Sequence, residues 1–437
     1  VETRFSHDDP RFIWVAPLDE ATGDGSFKKP FGRITSSLSA VQPGQTIVLK
    51  TGTYQGDVTV QVCGTIDNPI RIVADTAGEA ILYRSCWYFY DASDIIVSGL
   101  VFKEASSGAI SVVGACERNR FESLKFLNCG CSEKASCTFF FGGAGAACNM
   151  VEQCVFERQP RPVNEKKRAD EAVIGLMISE GDRGDEGLPI KDHIIKNNGF
   201  SNYDYGILVG ADDATMKEYG HLIAYNTIDN CFSEGIMVKC GDTQVKGNVL
   251  KKCAANSISI VAGQGTVVDD NRILDSGVGI RIAGKGHTVS NNCIVRCRNE
   301  AIRVMEPLSN GATTENVFIE QNTLVNWFHN NSSPPLPAIS IGRKTNAIVK
   351  KNLFFGQGTP YRLDDGNNET PGAKNKQQRH LITDNISSEP CETLPGIEKT
   401  GISFHSEQND NYENQSGYGA QGWMCGPKPY DPAMEEI

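Results

Sequence analysis

The stretch GIMVKCGDTQVKGN (Gly235–Asn248), with its successors SISIVAGQGTVVDDN (Ser257–Asn271), GIRIAGKGHTVSNN (Gly279–Asn292) and AISIGRKTNAIVKKN (Ala338–Asn352), decides the fold. Each segment is an apolar triplet with polar or small centres, then a glycine turn, then an Asn-containing run. Gly241 to Gly263 is 22 residues and Gly263 to Gly284 is 21, the length of one coil of a parallel β-solenoid rather than of a helical repeat. The expected fold is therefore all-β, a single-domain solenoid. Alternate strand residues point in and out, so the repeat also fixes which side chains share a face.

The same rhythm extends in both directions. Toward the N-terminus, FIWVAP and then Asp24 to Tyr54 read as a strand, a Gly/Pro loop, a short amphipathic helix around Ile34 to Val41 and a strand. The cap, about 11–60, is expected to cover the open end of the solenoid, where strand groups would otherwise be unpaired. Short β-rich runs follow at Ile70–Ala74, Ala80–Tyr83, Ile95–Phe102, Ala109–Val113, Thr138–Phe141 and Val173–Ile178. The solenoid with its cap is expected over 1–390, and 391–437 reads as an irregular tail packing on or capping it. Two charged insertions, Glu157–Glu171 and Glu180–Gly187, read as loops leaving the coils; such runs are usually solvated, yet long loops on a rigid scaffold also build substrate walls.

Across 437 residues, charged residues make up 22% and hydrophobic ones 39%, and no apolar run approaches the ~18 residues that span a bilayer. A soluble chain with no membrane partner is expected. No nucleotide or nucleic-acid signature stands out, and a monomer is expected. The sequence begins at Val1, as a chain whose secretion signal has been removed would, and a secreted, extracellular or periplasmic location is expected. Fifteen cysteines, six of them (Cys116, Cys129, Cys131, Cys137, Cys148, Cys154) within 39 residues, point to an oxidising compartment and some disulfides. The alternative, for pairs such as Cys231 and Cys253, is that thiols stack inside the solenoid as small hydrophobes.

In Ile236-Met237-Val238-Lys239 the inward residues are Ile236 and Val238, which leaves Met237 and Lys239 outside. Matching coils put Ser259 and Val261, Arg281 and Ala283, then Arg303 and Met305 on that face. Coils are about 4.8 Å apart, so Lys239, Arg281 and Arg303 form a cationic stripe along the axis. Such a stripe suits a linear acidic polymer, although a formal net charge of −11 opposes long-range steering of one and leaves the attraction to local contacts. The same three cations also serve simply to solvate an exposed sheet.

Four passages resemble polysaccharide lyase family six, the chondroitinase-B and alginate-lyase family of right-handed parallel β-helices. They are GTIDNPIRIVADTAGEAIL (Gly64–Leu82) with IIVSGLVF (Ile95–Phe102), YGILVGADDATMKEYGHLIAYNTIDNC (Tyr205–Cys231) with EGIMVKCG (Glu234–Gly241), GIRIAGKGHTVSNN, and ENVFIEQNTLVNW (Glu315–Trp327) with IVKKNLFF (Ile348–Phe355). The most specific match is the spacing of Glu234 and Lys239. The resemblance implies a right-handed parallel β-helix that cleaves a uronic-acid polysaccharide, alginate or a glycosaminoglycan, by β-elimination. It further implies that Lys239 is the Brønsted base and that Glu234 belongs to a calcium site. That chemistry removes a proton next to a carboxylate, so a cation or metal must stabilise the developing charge.

The chain departs from the family at several positions. Phe232 stands two residues before Glu234 and Tyr205 at the corresponding place one coil earlier, so the calcium site is incomplete and the cofactor is either none or a residual Ca2+ at Glu234. Val261-Ala262-Gly263 replaces an Arg-His-Gly element, and Leu208 replaces a further arginine. A proton donor must then be found elsewhere: Tyr205, His287 and His221 are candidates, the histidines being also ordinary turn or core-edge residues. Substrate contacts are expected from Arg281, Arg303, Asp204, Met237 and His221. Two other classes stay open, a β-helix glycoside hydrolase using Asp204, Asp212, Asp213 and Glu234, and a carbohydrate-binding or epimerising β-helix without lyase activity.

Overall fold

The computed structural model describes residues 5–17, 23–130, 136–143, 145–161, 171–179, 190–210, 218–306, 313–327, 336–342, 345–356, 359–363, 380–387 and 397–399. Asp212, Asp213, Cys131, most of the two charged insertions and nearly all of 391–437 lie outside the described residues. The chain divides into two compact units, Val1–Leu222 and Ile223–Ile437. No helix among the described residues is long and apolar enough to cross a membrane.

In the second unit each coil supplies one short strand to each of three parallel sheets. Glu234–Val238, Gln244–Lys246 and Val249–Lys251 make one coil, and Asn256–Ile260, Val267–Asp269 and Arg272–Leu274 the next. The first sheet continues through Val278–Ile282, Ile302–Val304 and Ile339–Ile341 to Tyr361–Leu363. Register is kept from coil to coil, with Ile236, Ile258, Ile280, Ile302 and Ile339 opposite one another. All five are buried, and stacking one branched side chain on the next removes apolar area from water at every coil. This is the alternation that the apolar triplets predict.

The Asn-containing runs form a ladder. Asn248, Asn271, Asn292, Asn322, Asn352 and Asn385 are buried at one corner, and each carboxamide oxygen accepts the backbone N–H of the ladder residue before it at 2.9–3.0 Å. The residue just before each of them takes positive φ, as at Asp270 (59°), Asn291 (55°) and Lys351 (57°), which turns the chain sharply but leaves backbone groups without strand partners. The asparagines supply those partners. Asn271→Ala should strand the Asn248 N–H in the core and lower stability by about 1–3 kcal/mol, seen as a lower urea midpoint with an unchanged slope.

The first unit is built on the same plan. Its helix is Ile34–Ala40, with Ile34, Ser37 and Leu38 buried, and it packs against the strands Phe12–Val15 and Val58–Val60. The run Ile95–Phe102 is two strands, Ile95–Ser98 and Val101–Lys103, parted at Gly99, whose φ of 73° makes a corner. Phe102, Phe126, Phe156 and Phe200 stack at successive coils with ring centroids 4.4–5.3 Å apart. Such offset stacks add to burial itself.

The expected disulfides do not form among the described residues. Cys231 and Cys253 are buried like small hydrophobes, the alternative reading. Burial pushes the thiols of Cys116 and Cys129 up to about 11 and those of Cys154 and Cys297 up to about 12. These groups stay protonated and unreactive.

Candidate active site

On the strand Glu234–Val238, Ile236 and Val238 are buried while Met237 and Lys239 are half-buried at the outer surface. Alternation breaks at Gly235: a Cβ there would lie 2.6 Å from Leu250 Cδ2 and 3.0 Å from Cys253 Sγ, so position 235 already faces the core. Glu234 is thereby turned onto the outer face with Met237 and Lys239. The rows across this face follow from register: Met237, Ser259, Arg281 and Arg303 are consecutive partners, with Ser340 and Arg362 beyond. Glu234, Asn256 and Val278 form a second row.

Glu234 is the focus of this face. It is only 5% exposed, and its Oε1 accepts a hydrogen bond from Asn256 Nδ2 at 2.8 Å. Its Oε2 and the buried Ser259 hydroxyl are both without a well-formed hydrogen bond among the described residues. Burial pushes the Glu234 carboxyl up; the Asn256 bond, the Arg281 charge, the Ser259 hydroxyl and the Lys239 charge oppose it in that order. Lys239 and Arg281 therefore act on the same carboxylate from coils two apart. Besides Asn256, the coil between them carries the short side chains Ser259, Val261 and Ala262.

The two arginines of the stripe are not equivalent. Arg303 is ion-paired with Glu300, three residues earlier on its own coil and itself buried. Arg281 Nε instead rests on the Met305 thioether at 3.2 Å, a weak acceptor that leaves most of a guanidinium's capacity for another partner. Glu300 and Asn256 were not singled out from the sequence. Spacing was the available signal, since Asn256 follows Glu234 by 22 residues, one coil period.

The histidines lie elsewhere. His287 is fully buried, with Nδ1 accepting the Thr266 N–H at 3.1 Å, and burial pushes it down to about 4. His221, in the first unit, accepts the His193 N–H at 3.3 Å and is pushed down to about 3 for the same reason. The expectation that either donates a proton or contacts substrate is corrected: both are neutral corner residues inside the coils. Because both titrate lower in the fold than in the unfolded chain, their contribution to stability is complete above the usual histidine value near 6.5. It is lost as pH falls toward about 4 and about 3. Melting temperature measured from about pH 7 to about pH 4.5 should fall, and His287→Gln should flatten that dependence.

Tyr205 and Asp204 belong to the first unit. Tyr205 begins the strand Tyr205–Val209 and is half-buried. Asp204 is ion-paired with Arg161 through Oδ1 and accepts the Val173 N–H on Oδ2 at 2.9 Å.

A calcium ion would need several oxygen ligands. Among the described residues no three His, Cys, Asp or Glu side chains gather, and Glu234 stands as a lone carboxylate with two cations bearing on it. That donor set does not fit a divalent cation.

The family described as a right-handed beta helix region matches residues 183–354 and 223–419. Among solved structures, the PL6 family alginate lyase AlyGC is similar at TM-score 0.64 and 19% identity, covering 84% of this chain and 52% of that one. This chain thus spans about half the length of that structure. A mannuronic acid specific polysaccharide family 6 lyase enzyme from human gut microbiota is similar at TM-score 0.63 and 17% identity, covering 89% and 90%. A GH136 lacto-N-biosidase from Eubacterium ramulus is similar at 0.54 and 12%, covering 78% and 67%. At such identities the likeness is one of fold. No curated protein matches the sequence.

Proposed function

We propose, from a chain that belongs to the right-handed β-helix family, an enzyme that cleaves a uronic-acid-containing polysaccharide by β-elimination on the outer face of its second unit. The observation that carries this reading is the placement of Lys239, the buried Glu234 and Arg281 on one outer face, with a coil of short side chains between Lys239 and Arg281. The solved structures of similar fold support it, one being an alginate lyase and another a mannuronic acid specific lyase.

In this reading a uronate ring lies over Ser259 and Val261. Arg281 pairs with its carboxylate, an assignment favoured because Arg303 is already occupied by Glu300. Lys239 Nζ takes the C5 proton; electrons of that C–H bond form the C4=C5 double bond, and the C4–O4 bond breaks. The ammonium so formed holds the proton that O4 of the departing sugar takes up. Glu234, fixed by Asn256, shares this face with Lys239 and Arg281 and helps position them. Arg281 supplies the stabilisation that a metal would otherwise give to the carboxylate.

The test is ultraviolet absorbance of the unsaturated uronate product, followed on a panel of acidic polysaccharides with and without a chelator. Rising absorbance that a chelator leaves unchanged is the expected result. Reducing ends formed without unsaturation would replace this reading with hydrolysis, and a chelator-sensitive rate would overturn the role given to Arg281.

A further inference from the structure

The outer face of the corresponding sheet in the first unit has a different chemistry. On the strand Trp87–Tyr90, Trp87 and Phe89 are fully buried, and Tyr88 and Tyr90 stand outward at 41% and 48% exposure. The row through Tyr88 reads Thr59, Tyr88, Ser111, Phe140, Met177, Leu208, and Tyr90 lies opposite Val113. None of these side chains carries a charge. In the second unit the equivalent row contains Arg281, Arg303 and Arg362.

Two details show that this strip is shaped. A Cβ at Gly142 would lie 2.2 Å from Phe140 Cε1 and 2.4 Å from Cζ, so the missing side chain lets the half-buried Phe140 ring lie down along its own strand. Beside the row, the Cys86 and Ser107 side chains lie 3.2 Å apart and the Cys86 N–H is held by Asp57 Oδ1 at 2.9 Å. Tyr88 itself keeps much of its surface in water. Thr59 and Ser111 are polar members of the row itself, Ser107 lies beside it against Cys86, and Asp91 follows Tyr90 in the chain.

We propose that this strip is a saccharide-binding site, a platform on which the apolar faces of pyranose rings stack while their hydroxyls meet these polar groups. Aromatic faces with hydrogen-bonding edges suit a ring whose C–H groups and hydroxyls point in different directions. The absence of charge selects the C–H face rather than a carboxylate. A protein partner fits less well: stable protein interfaces need about 800 Å² from each side, and this strip is only one to two side chains wide. The proposal needs a saccharide ligand but not the elimination chemistry.

The experiment is affinity electrophoresis through gels containing alginate, polygalacturonate or a neutral mannan, using Lys239→Ala protein so that no polymer is cut. Tyr88→Ala/Tyr90→Ala should weaken binding to the retarding polymer on the order of tenfold, two ring contacts being lost. Ser111→Arg, which fills the strip between Tyr88 and Phe140 without removing a ring, should do the same; it keeps the test decisive if the double variant folds poorly. Equal retardation of parent and variants, no retardation by any polymer, or a parent dimer that the variants abolish without change in retardation would each overturn the proposal. Because binding is read without turnover, its failure is distinguishable from failure of the lyase reading.

Discussion

Lys239→Ala is expected to reduce formation of unsaturated product by at least about 10²-fold, and up to about 10⁴-fold, the range for loss of a positioned general base. Lys239 sits just beyond the strand end, half-buried on the outer face, and contributes nothing to the stack of Ile236 and Val238 beneath it. Its removal should therefore leave the melting temperature within the small range of surface substitutions. Loss of its charge should also push the Glu234 carboxyl further up, because Lys239 is one of the groups opposing burial there. Product formation by the variant within a factor of a few of the parent would remove Lys239 from the mechanism.

Arg281→Ala should lower kcat by about 10²–10³-fold, as expected when a group that stabilises developing negative charge is removed. The matched control is Arg303→Ala. Arg303 is engaged by Glu300, so its loss should act mainly on local stability by leaving a buried carboxylate unpaired. Arg281→Lys retains charge but not the planar fork, and should recover only part of the rate. If Arg303→Ala cost more activity than Arg281→Ala, the carboxylate contact would have to move one coil along the face.

Much of this fold was legible because a solenoid repeats one local solution. The apolar pairs Ile236/Val238, Ile258/Ile260 and Ile280/Ile282 recur at 22 residues, and that spacing alone puts them in register. The strands Ile70–Ala74, Ala80–Tyr83 and Val173–Ile178 likewise have the limits their composition suggests. The placement of Lys239, Arg281 and Arg303 on the outer side follows from the same arithmetic. Failures occurred where a residue type fits two environments. His287 in a Gly-Lys-Gly-His turn reads as a candidate acid or, more naturally, as a turn or core-edge residue, and in the fold it is buried with the Thr266 N–H on its Nδ1. Cysteine density suggests crosslinks, yet buried thiols such as Cys154 and Cys297 serve as core side chains.

The sequence by itself determined the coil period and the inward and outward faces, because those properties depend on spacing along one strand and its repeat; the candidacy of Lys239 came from the family resemblance. Tertiary structure decided which of the face's charges are available. Arg303 is neutralised by Glu300, Arg281 rests on the Met305 thioether, and Glu234 is buried against Asn256. Those distinctions depend on burial and on side-chain direction at the turn through Gly235, where alternation breaks. A charge's energy varies steeply with its distance from water and from its partner, and neither distance is written in the order of residues.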